Sequence, residues 1–177
     1  MAMTLISTST FSDAASVSIT SGIDSTYKLY IFKFIDIHPE YDGAKLRIQF
    51  NVAGQSGYNE TVTSTFFDSE HSEADDAATL GYKTSVDQAQ STGEVNITRE
   101  IGNDNATCAA GTLWLFDPSN TTYVTHFYSR FSEETHHPYH MDCFVGGYVN
   151  ATGAVDEVQF TVETDNLSGT IKLYGVG

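Results

Sequence analysis

The chain has 177 residues and carries 23 acidic against 8 basic side chains, a formal net charge of −15 at pH 7. Such a charge repels phosphate backbones and anionic lipids, so it argues against nucleic acids and membrane surfaces as partners. The chain has no apolar run of transmembrane length, and residues 1–11 lack the cationic and apolar regions of a secretory signal. We therefore expect one domain, residues 1–177, that folds in a cytoplasm.

Alternating apolar and polar residues predict β-strands along the chain. About ten short strands, separated by turns rich in Gly, Asn and Asp, predict an all-β fold, an antiparallel β-sandwich with jelly-roll-like topology. Residues 1–20 are expected to form an N-terminal arm or edge strands that dock on a neighbouring subunit. The strand patterns cover residues 5–11, 16–20, 27–37, 45–52, 60–67, 94–99, 112–116, 122–128, 142–150, 158–164 and 170–176.

Residues 27–37, YKLYIFKFIDI, are apolar on both faces of the predicted strand. Tyr30, Phe32 and Phe34 point one way, and Leu29, Ile31, Ile35 and Ile37 point the other. A strand covered on both faces occurs where one sheet packs on another or where a subunit packs on its neighbour. The excess of apolar surface favours the second explanation. We therefore predict that Tyr30, Phe32 and Phe34 lie in a subunit interface.

Two of the alternating strands predict residues of the hydrophobic core. In residues 45–52, Phe50 shares a face with three other apolar side chains, and in residues 158–164 Phe160 shares a face with two. The opposite faces of both strands are polar, as in antiparallel strands with one face in water.

The longest stretch without a strand pattern is residues 68–92, which we expect to be an acidic surface loop with one short helical turn at 75–80. Its carboxylates suggest either a calcium site or a solvated face, and the compact Asp-x-Asp-x-Asp-Gly order of a calcium loop is absent. The candidate calcium ligands are Asp68, Glu70, Glu73, Asp75 and Asp76.

Three histidines are concentrated in the segment THHPYH, at positions 136, 137 and 140. His136, His137 and His140 are candidate metal ligands if a loop brings their imidazoles together with a carboxylate. Pro138 excludes a regular helix here. The alternative is a solvated or interface loop without metal.

Aromatic side chains make up 12% of the residues and allow a platform on which sugar rings stack, with Tyr58, Trp114 and Tyr139 as candidates. Burial in the core or in an interface is the alternative. Cys108 and Cys143 match no zinc spacing, and they are either buried thiols or a disulfide. The sequence contains no phosphate-binding glycine loop, dinucleotide fingerprint or nucleophile elbow, so we expect neither a cofactor nor an enzyme.

Several segments in order, YIFKFIDIHP, TSTFF, GTLWLFDPSNTTYVTHFYS, AVDEVQF and SGTIKLYGVG, resemble small virion proteins of tailed bacteriophages, marine ones especially. The resemblance extends over nearly the whole chain, and the closing segment from Gly169 to Gly175 is its most distinctive part. It implies a non-enzymatic structural protein with a jelly-roll-like body, exposed on the virion, assembled in the host cytoplasm and trimeric. The group has no agreed active site, so no functional residues are transferred.

Within a virion, two roles are open. The chain has neither a coiled-coil repeat nor a shaft, which favours a decoration or cement protein that stabilises the capsid as a homotrimer and contacts the major capsid protein. The alternative is a receptor-binding protein at the tip of a tail fibre or head fibre, where aromatic rings stack on host surface glycan. A free carbohydrate-binding module or a glycosidase is the third possibility.

Overall fold

The structure, a computed structural model, describes residues 2–177, and these form thirteen β-strands. All ladders between the strands are antiparallel. No helix forms in residues 2–177, so none is present that is long and apolar enough to cross a membrane. The strands are β1 (Met3–Ala14), β2 (Ser16–Ile19), β3 (Leu29–Pro39), β4 (Leu46–Val52), β5 (Val62–Ser72), β6 (Ala78–Tyr82), β7 (Gln88–Ser91), β8 (Val95–Asn96), β9 (Ala109–Phe116), β10 (Thr125–Glu134), β11 (Tyr139–Val149), β12 (Val155–Val162) and β13 (Leu167–Val176).

The strands form two sheets of unequal size. The large sheet has nine strands in the order β1-β13-β3-β9-β10-β11-β5-β6, with β7 paired to β5 beside β6. The small sheet has four strands in the order β2-β12-β4-β8. The small sheet packs on the large one, and apolar side chains from both fill the space between them.

Eight of the strands are connected as in a jelly roll: β1, β13, β3 and β9 in the large sheet, and β2, β12, β4 and β8 in the small sheet. Within this set the chain crosses from one sheet to the other at every step except that from β4 to β8, which both lie in the small sheet. The other five strands widen the large sheet. The prediction of an antiparallel, jelly-roll-like sandwich is confirmed, with thirteen strands instead of about ten.

Aromatic rings hold the two sheets together. Phe160 on β12 lies 5.0 Å from the ring of Phe34 and 5.7 Å from that of Phe32, both on β3, in edge-to-face arrangements. Phe50 on β4 contacts Phe127 on β10 with ring centroids 5.1 Å apart. All these rings are buried, so the core positions predicted for Phe50 and Phe160 are confirmed.

The prediction that Tyr30, Phe32 and Phe34 form a subunit interface is wrong. All three side chains are buried inside their own chain, between the two sheets. The apolar residues on both faces of β3 result partly from a bulge at Asp36, whose φ of 52° lies in the left-handed region. The bulge moves Ile37 to the core side, whereas the alternation predicted it on the opposite face.

The predicted docking arm, residues 1–20, belongs to its own sandwich as far as the structure describes it; Met1 lies outside the described residues. β1 pairs with β13 along the edge of the large sheet, and β2 pairs with β12 at the edge of the small sheet. The segment therefore joins the two sheets of its own chain.

The prediction of an acidic loop over residues 68–92 is also wrong. β5 continues to Ser72, and β6 and β7 both pair with it. The predicted helical turn at 75–80 is instead a tight turn followed by β6, with Asp75 at a φ of 58°. Strands as short as β6 and β7, with most of their side chains facing water, lack the apolar alternation from which strands are recognised.

Replacing Phe160 by Ala removes the ring that connects the two sheets. Because Phe160 is fully buried, we expect the free energy of unfolding to fall by about 3–5 kcal/mol. Tyr123→Ala, which changes a largely exposed ring, is the control and is expected to stay within about 0.5 kcal/mol of the wild type. Urea unfolding of the three proteins measures the difference, and an unchanged midpoint for Phe160→Ala would contradict the core assignment.

Candidate binding surface

The outer face of the large sheet, directed away from the small sheet, carries an unusual number of exposed apolar side chains. Every large hydrophobic residue with high exposure that belongs to a strand of the described chain lies in this sheet. Soluble monomers rarely leave such groups adjacent on one surface, so this face is the candidate binding surface. These strand residues are Met3, Leu5, Ile35, Phe67, Leu80, Tyr82 and Tyr128.

One part of this face, near the β6 edge, is mainly aromatic. We define the apolar edge patch as Phe67, Leu80, Tyr82, Tyr128 and Phe144. The rings of Phe67 and Phe144 stack with centroids 4.8 Å apart and planes 5° from parallel. Leu80 is 73% exposed and Tyr82 is 52% exposed, on a strand with no further neighbour in the sheet. This patch presents flat apolar surface to the solvent.

A shallow depression of about 240 Å³ lies within the apolar edge patch. It exists because Gly146 occupies the row between Tyr128 and Thr65, where another residue would place a side chain. A methyl group added at Gly146 would meet Thr65 and Tyr128 only at 3.8 and 4.0 Å, so nothing in the chain fills this space. The depression offers room for a side chain of a partner.

A second depression, of about 320 Å³, lies beside Trp114 and has a mixed lining. The indole of Trp114 packs against Tyr128, with ring centroids 4.9 Å apart. Arg130 donates hydrogen bonds to both carboxylate oxygens of Asp142 at the rim. Ser132 and His140 are hydrogen-bonded to each other at 2.9 Å on the other side. An aromatic ring beside paired polar groups is suited to a ligand with both apolar and hydroxyl faces.

The three aromatic residues predicted to stack on sugar are not brought together. Trp114 lies on the outer face of the large sheet, as described. Tyr58 lies in the loop after β4 and donates a hydrogen bond to Glu157 on the small sheet. Tyr139 begins β11 and faces the ring of His137. The neighbour of Trp114 is instead Tyr128, whose outward position follows from the alternation of residues 125–128 and was missed.

The predicted metal site at His136, His137 and His140 does not form. The rings of His136 and His137 lie 4.0 Å apart, but His140 is bound to Ser132 on the sheet surface. In residues 2–177 no group of three or more histidine, cysteine or carboxylate side chains is placed to hold a metal ion. This also removes the acidic segment from Asp68 to Asp76 as a calcium site. The hairpin between β10 and β11 separates the histidines onto different surfaces.

Both cysteines are free thiols, so the disulfide alternative is excluded and the prediction of thiols is confirmed. Cys143 is buried on β11, and Cys108 is half-buried before β9. Burial raises the pKa of each thiol, and nearby carboxylates raise it further. Neither has the features of a reactive cysteine, which needs a lowered pKa.

A buried ion cluster lies on the inner face of the part that widens the large sheet; we define it as Asp68, Lys83, Arg99 and Glu133. Asp68 is completely buried, with Arg99 Nη1 3.0 Å from one carboxylate oxygen and Lys83 Nζ 3.2 Å from the other. Glu133, only 1% exposed, accepts hydrogen bonds from the backbone N–H groups of Arg99 and Glu100. The cluster therefore fixes the segment after β8 against the sheet.

Burial raises the pKa of Glu133 to about 7, and the charges of Glu100 and Asp68 add to this effect. The two backbone donors oppose the shift but do not cancel it. A carboxylic acid with such a pKa is often a catalytic group when it lies in an open cleft. Glu133 is instead enclosed between the sheet and the segment it binds, so we assign it a structural role.

Comparison with protein-family models and with curated proteins finds no match to this chain.

Glu133 makes folding stability depend on pH. Since its pKa is about 7 in the folded protein and near 4.5 when exposed, the folded state binds the proton more tightly. The contribution is therefore complete below pH 4.5 and is lost as the pH rises towards 7, by about 3 kcal/mol in all. The facing groups are Asp68, Glu100, Arg99 and Cys143.

Glu133→Gln is expected to flatten this dependence, because the amide oxygen still accepts from the backbone but does not titrate. Urea unfolding at intervals between pH 5 and pH 8 measures it. Glu134→Gln, the adjacent residue and only half-buried, is the control and should keep the wild-type slope. Equal slopes for Glu133→Gln and the wild type would refute the assignment.

Proposed function

We propose that this chain is a non-enzymatic structural protein of a bacteriophage particle, which decorates the capsid and docks on it through the apolar edge patch. The proposal has two separate supports. The resemblance of its sequence segments to small virion proteins suggests the particle. The exposed patch suggests how the protein attaches.

The observation that carries the docking role is the position of the apolar edge patch. Phe67, Tyr82 and Tyr128 are between 41% and 52% exposed, and Leu80 is 73% exposed. At about 25 cal/mol per Å² of buried apolar surface, covering several such side chains offsets much of the cost of association. A partner that covers the patch therefore gains binding free energy, and the fold of this chain does not have to change.

None of the five side chains of the patch is charged, although the chain as a whole carries a formal charge of −15. At its border, Asp87 accepts a hydrogen bond from Tyr82, and Arg130 lies with its guanidinium 5.0 Å from the ring centre of Phe144 and is already paired with Asp142. A charge that is paired before association costs less to bring into an interface. The acidic surface elsewhere keeps unassembled copies soluble.

Purified protein is expected to bind undecorated capsids of its own phage at saturation in a fixed ratio, measured by co-sedimentation. Leu80→Asp places an uncompensated charge at the most exposed position of the apolar edge patch. We expect it to weaken binding at least about tenfold, because the charge must lose water when the surface is covered.

Tyr123→Ser is the matched control, since Tyr123 is 71% exposed but lies in the loop after β9, outside the patch. It should bind capsids like the wild type. If the wild-type protein fails to sediment with capsids but binds host cells, the decoration role is wrong. If Leu80→Asp binds as tightly as the wild type, the patch is not the docking surface.

The second candidate function is recognition of host surface glycan at the tip of a fibre. It is favoured by the depression beside Trp114, where an indole ring lies next to the Arg130–Asp142 pair and the Ser132–His140 pair. Sugar rings stack on aromatic faces while their hydroxyl groups bond to such polar pairs.

A glycan array distinguishes the two functions. If glycan recognition is the role, the wild-type protein binds a defined set of glycans at saturation, and Trp114→Ala loses at least about tenfold in affinity, as expected for a stacking ring. Tyr58→Ala, which changes an aromatic residue on the other sheet, should bind normally. Absence of saturable binding to any glycan would leave the decoration role as the one supported.

A further inference from the structure

The large sheet ends in an unusually long edge strand. β1 spans twelve residues, whereas the edge strands β6, β2 and β8 span five, four and two. β1 is bonded to β13 on one side, and no strand of residues 2–177 lies on its other side. In an antiparallel edge strand, every second residue directs its N–H and C=O groups away from the sheet.

These outward groups have no partner within the described chain. The backbone of β1 forms its ladder with β13, and beside the strand Ala2 pairs with Gly177. The hydroxyl groups of Thr10 and Thr170 are hydrogen-bonded to each other, and the backbone N–H of Asp13 donates to Ser168 Oγ, both on the β13 side. No residue of β1 is fully buried, although the strand contains Met3, Leu5, Ile6 and Phe11. Ile6 and Phe11 pack partly against the core, whereas Met3 and Leu5 are about half exposed.

Natural proteins usually protect such an edge with lysine, proline or a strong bulge. β1 has no proline, and its first charged residue is Asp13. Two bulges occur, between Leu5 and Ser7 and between Phe11 and Ala14. They leave Ser7–Phe11 as a regular, uncharged stretch of edge. A strand of matching length can add to this stretch without removing any charge from water.

We propose that β1 binds β1 of a second copy of this chain, antiparallel across a two-fold axis near Ser9, so that two large sheets become one continuous sheet. Such a contact is self-complementary, since the same residues occur on both sides. It lies at the edge of the sheet opposite the apolar edge patch and does not depend on the proposed function.

The lack of charged side chains in Ser7–Phe11 allows a second copy of this chain to occupy this edge. Two chains that each carry −15 repel one another, so the contact must avoid acidic side chains. Around an axis at Ser9, the two copies of Asp13 are about 27 Å apart, given a rise of about 3.4 Å per residue. This exceeds the screening length of about 10 Å at 0.1 M salt, so their repulsion is weak.

The side chains that meet in this register also suit each other. Thr8 of one copy lies opposite Thr10 of the other on the outer face, and cross-strand threonine pairs stabilise antiparallel sheets. Ser9 lies opposite itself. The pairing gives a dimer or an assembly of dimers, whereas the sequence analysis predicted a trimer.

Thr8→Asp tests the contact without endangering the fold. Thr8 is exposed and pairs across the ladder with Lys172, so an aspartate there gains an opposite charge within its own chain. In the dimer the same change places two new carboxylates close to the axis. We expect the wild type to sediment as a dimer or a multiple of it. For Thr8→Asp we expect the dimer dissociation constant to rise at least about tenfold.

Thr122→Asp adds the same charge in an exposed loop and should leave the dimer dissociation constant unchanged. Ser9→Cys in a Cys108→Ser background should form a disulfide between two copies under mild oxidation, because opposed residues of antiparallel strands have Cα atoms within disulfide range. A wild type that is monomeric at all concentrations would overturn the proposal. So would a trimer that Thr8→Asp does not dissociate, or a failure of Ser9→Cys to crosslink.

Discussion

The mismatch between a sheet of nine strands and a sheet of four determines how this molecule is built. The small sheet covers the jelly-roll strands, and Phe160 reaches from it to the rings of Phe32 and Phe34. It reaches as far as β10, where Phe50 contacts Phe127, but is too narrow to cover the added strands β11 and β5. Their inner face must be closed by other means, and their outer face is left wide and open. The core packing and the candidate binding surface both follow from this mismatch.

The inner face of the added strands is closed by the segment after β8, which has little regular structure of its own. Isolated bridges link Ile101 of this segment to Ala44, before β4, and to Thr135, after β10. The buried ion cluster holds this segment in place. Glu133 accepts hydrogen bonds from the backbone N–H groups of Arg99 and Glu100, and Asp68 forms an ion pair with Arg99. A segment without a complete ladder has backbone N–H groups that lack strand partners. The buried polar side chains supply the hydrogen-bond acceptors that these groups need. A close approach of Gly111 to Phe131 completes the packing, since any side chain at Gly111 would meet that ring at 2.4 Å.

The sequence allowed much of the fold to be predicted and little of the site. Alternation along Leu46–Val52 and Val155–Val162 identified Phe50 and Phe160 as core, but the expected wet face of Leu46–Val52 is wrong, because Gln49 and Asn51 on that face are buried. Alternation gave the wrong answer for β3, where both faces are apolar and covering by the second sheet cannot be distinguished from covering by a subunit. It also missed β6 and β7, whose side chains mostly face solvent. The patch around Tyr128 joins residues from four strands, and their order across the sheet cannot be read from a single sequence.

The pairing of the first strands with the last has a consequence for how the chain acquires its structure. The side chains of Thr10 and Thr170 are hydrogen-bonded although they are 160 residues apart in the sequence. β2 likewise pairs with β12, which is synthesised much later. Neither sheet can be completed before β12 and β13 have been synthesised. Contacts of such long sequence separation also form slowly. During that interval the apolar strands are exposed, which favours aggregation of incompletely folded copies.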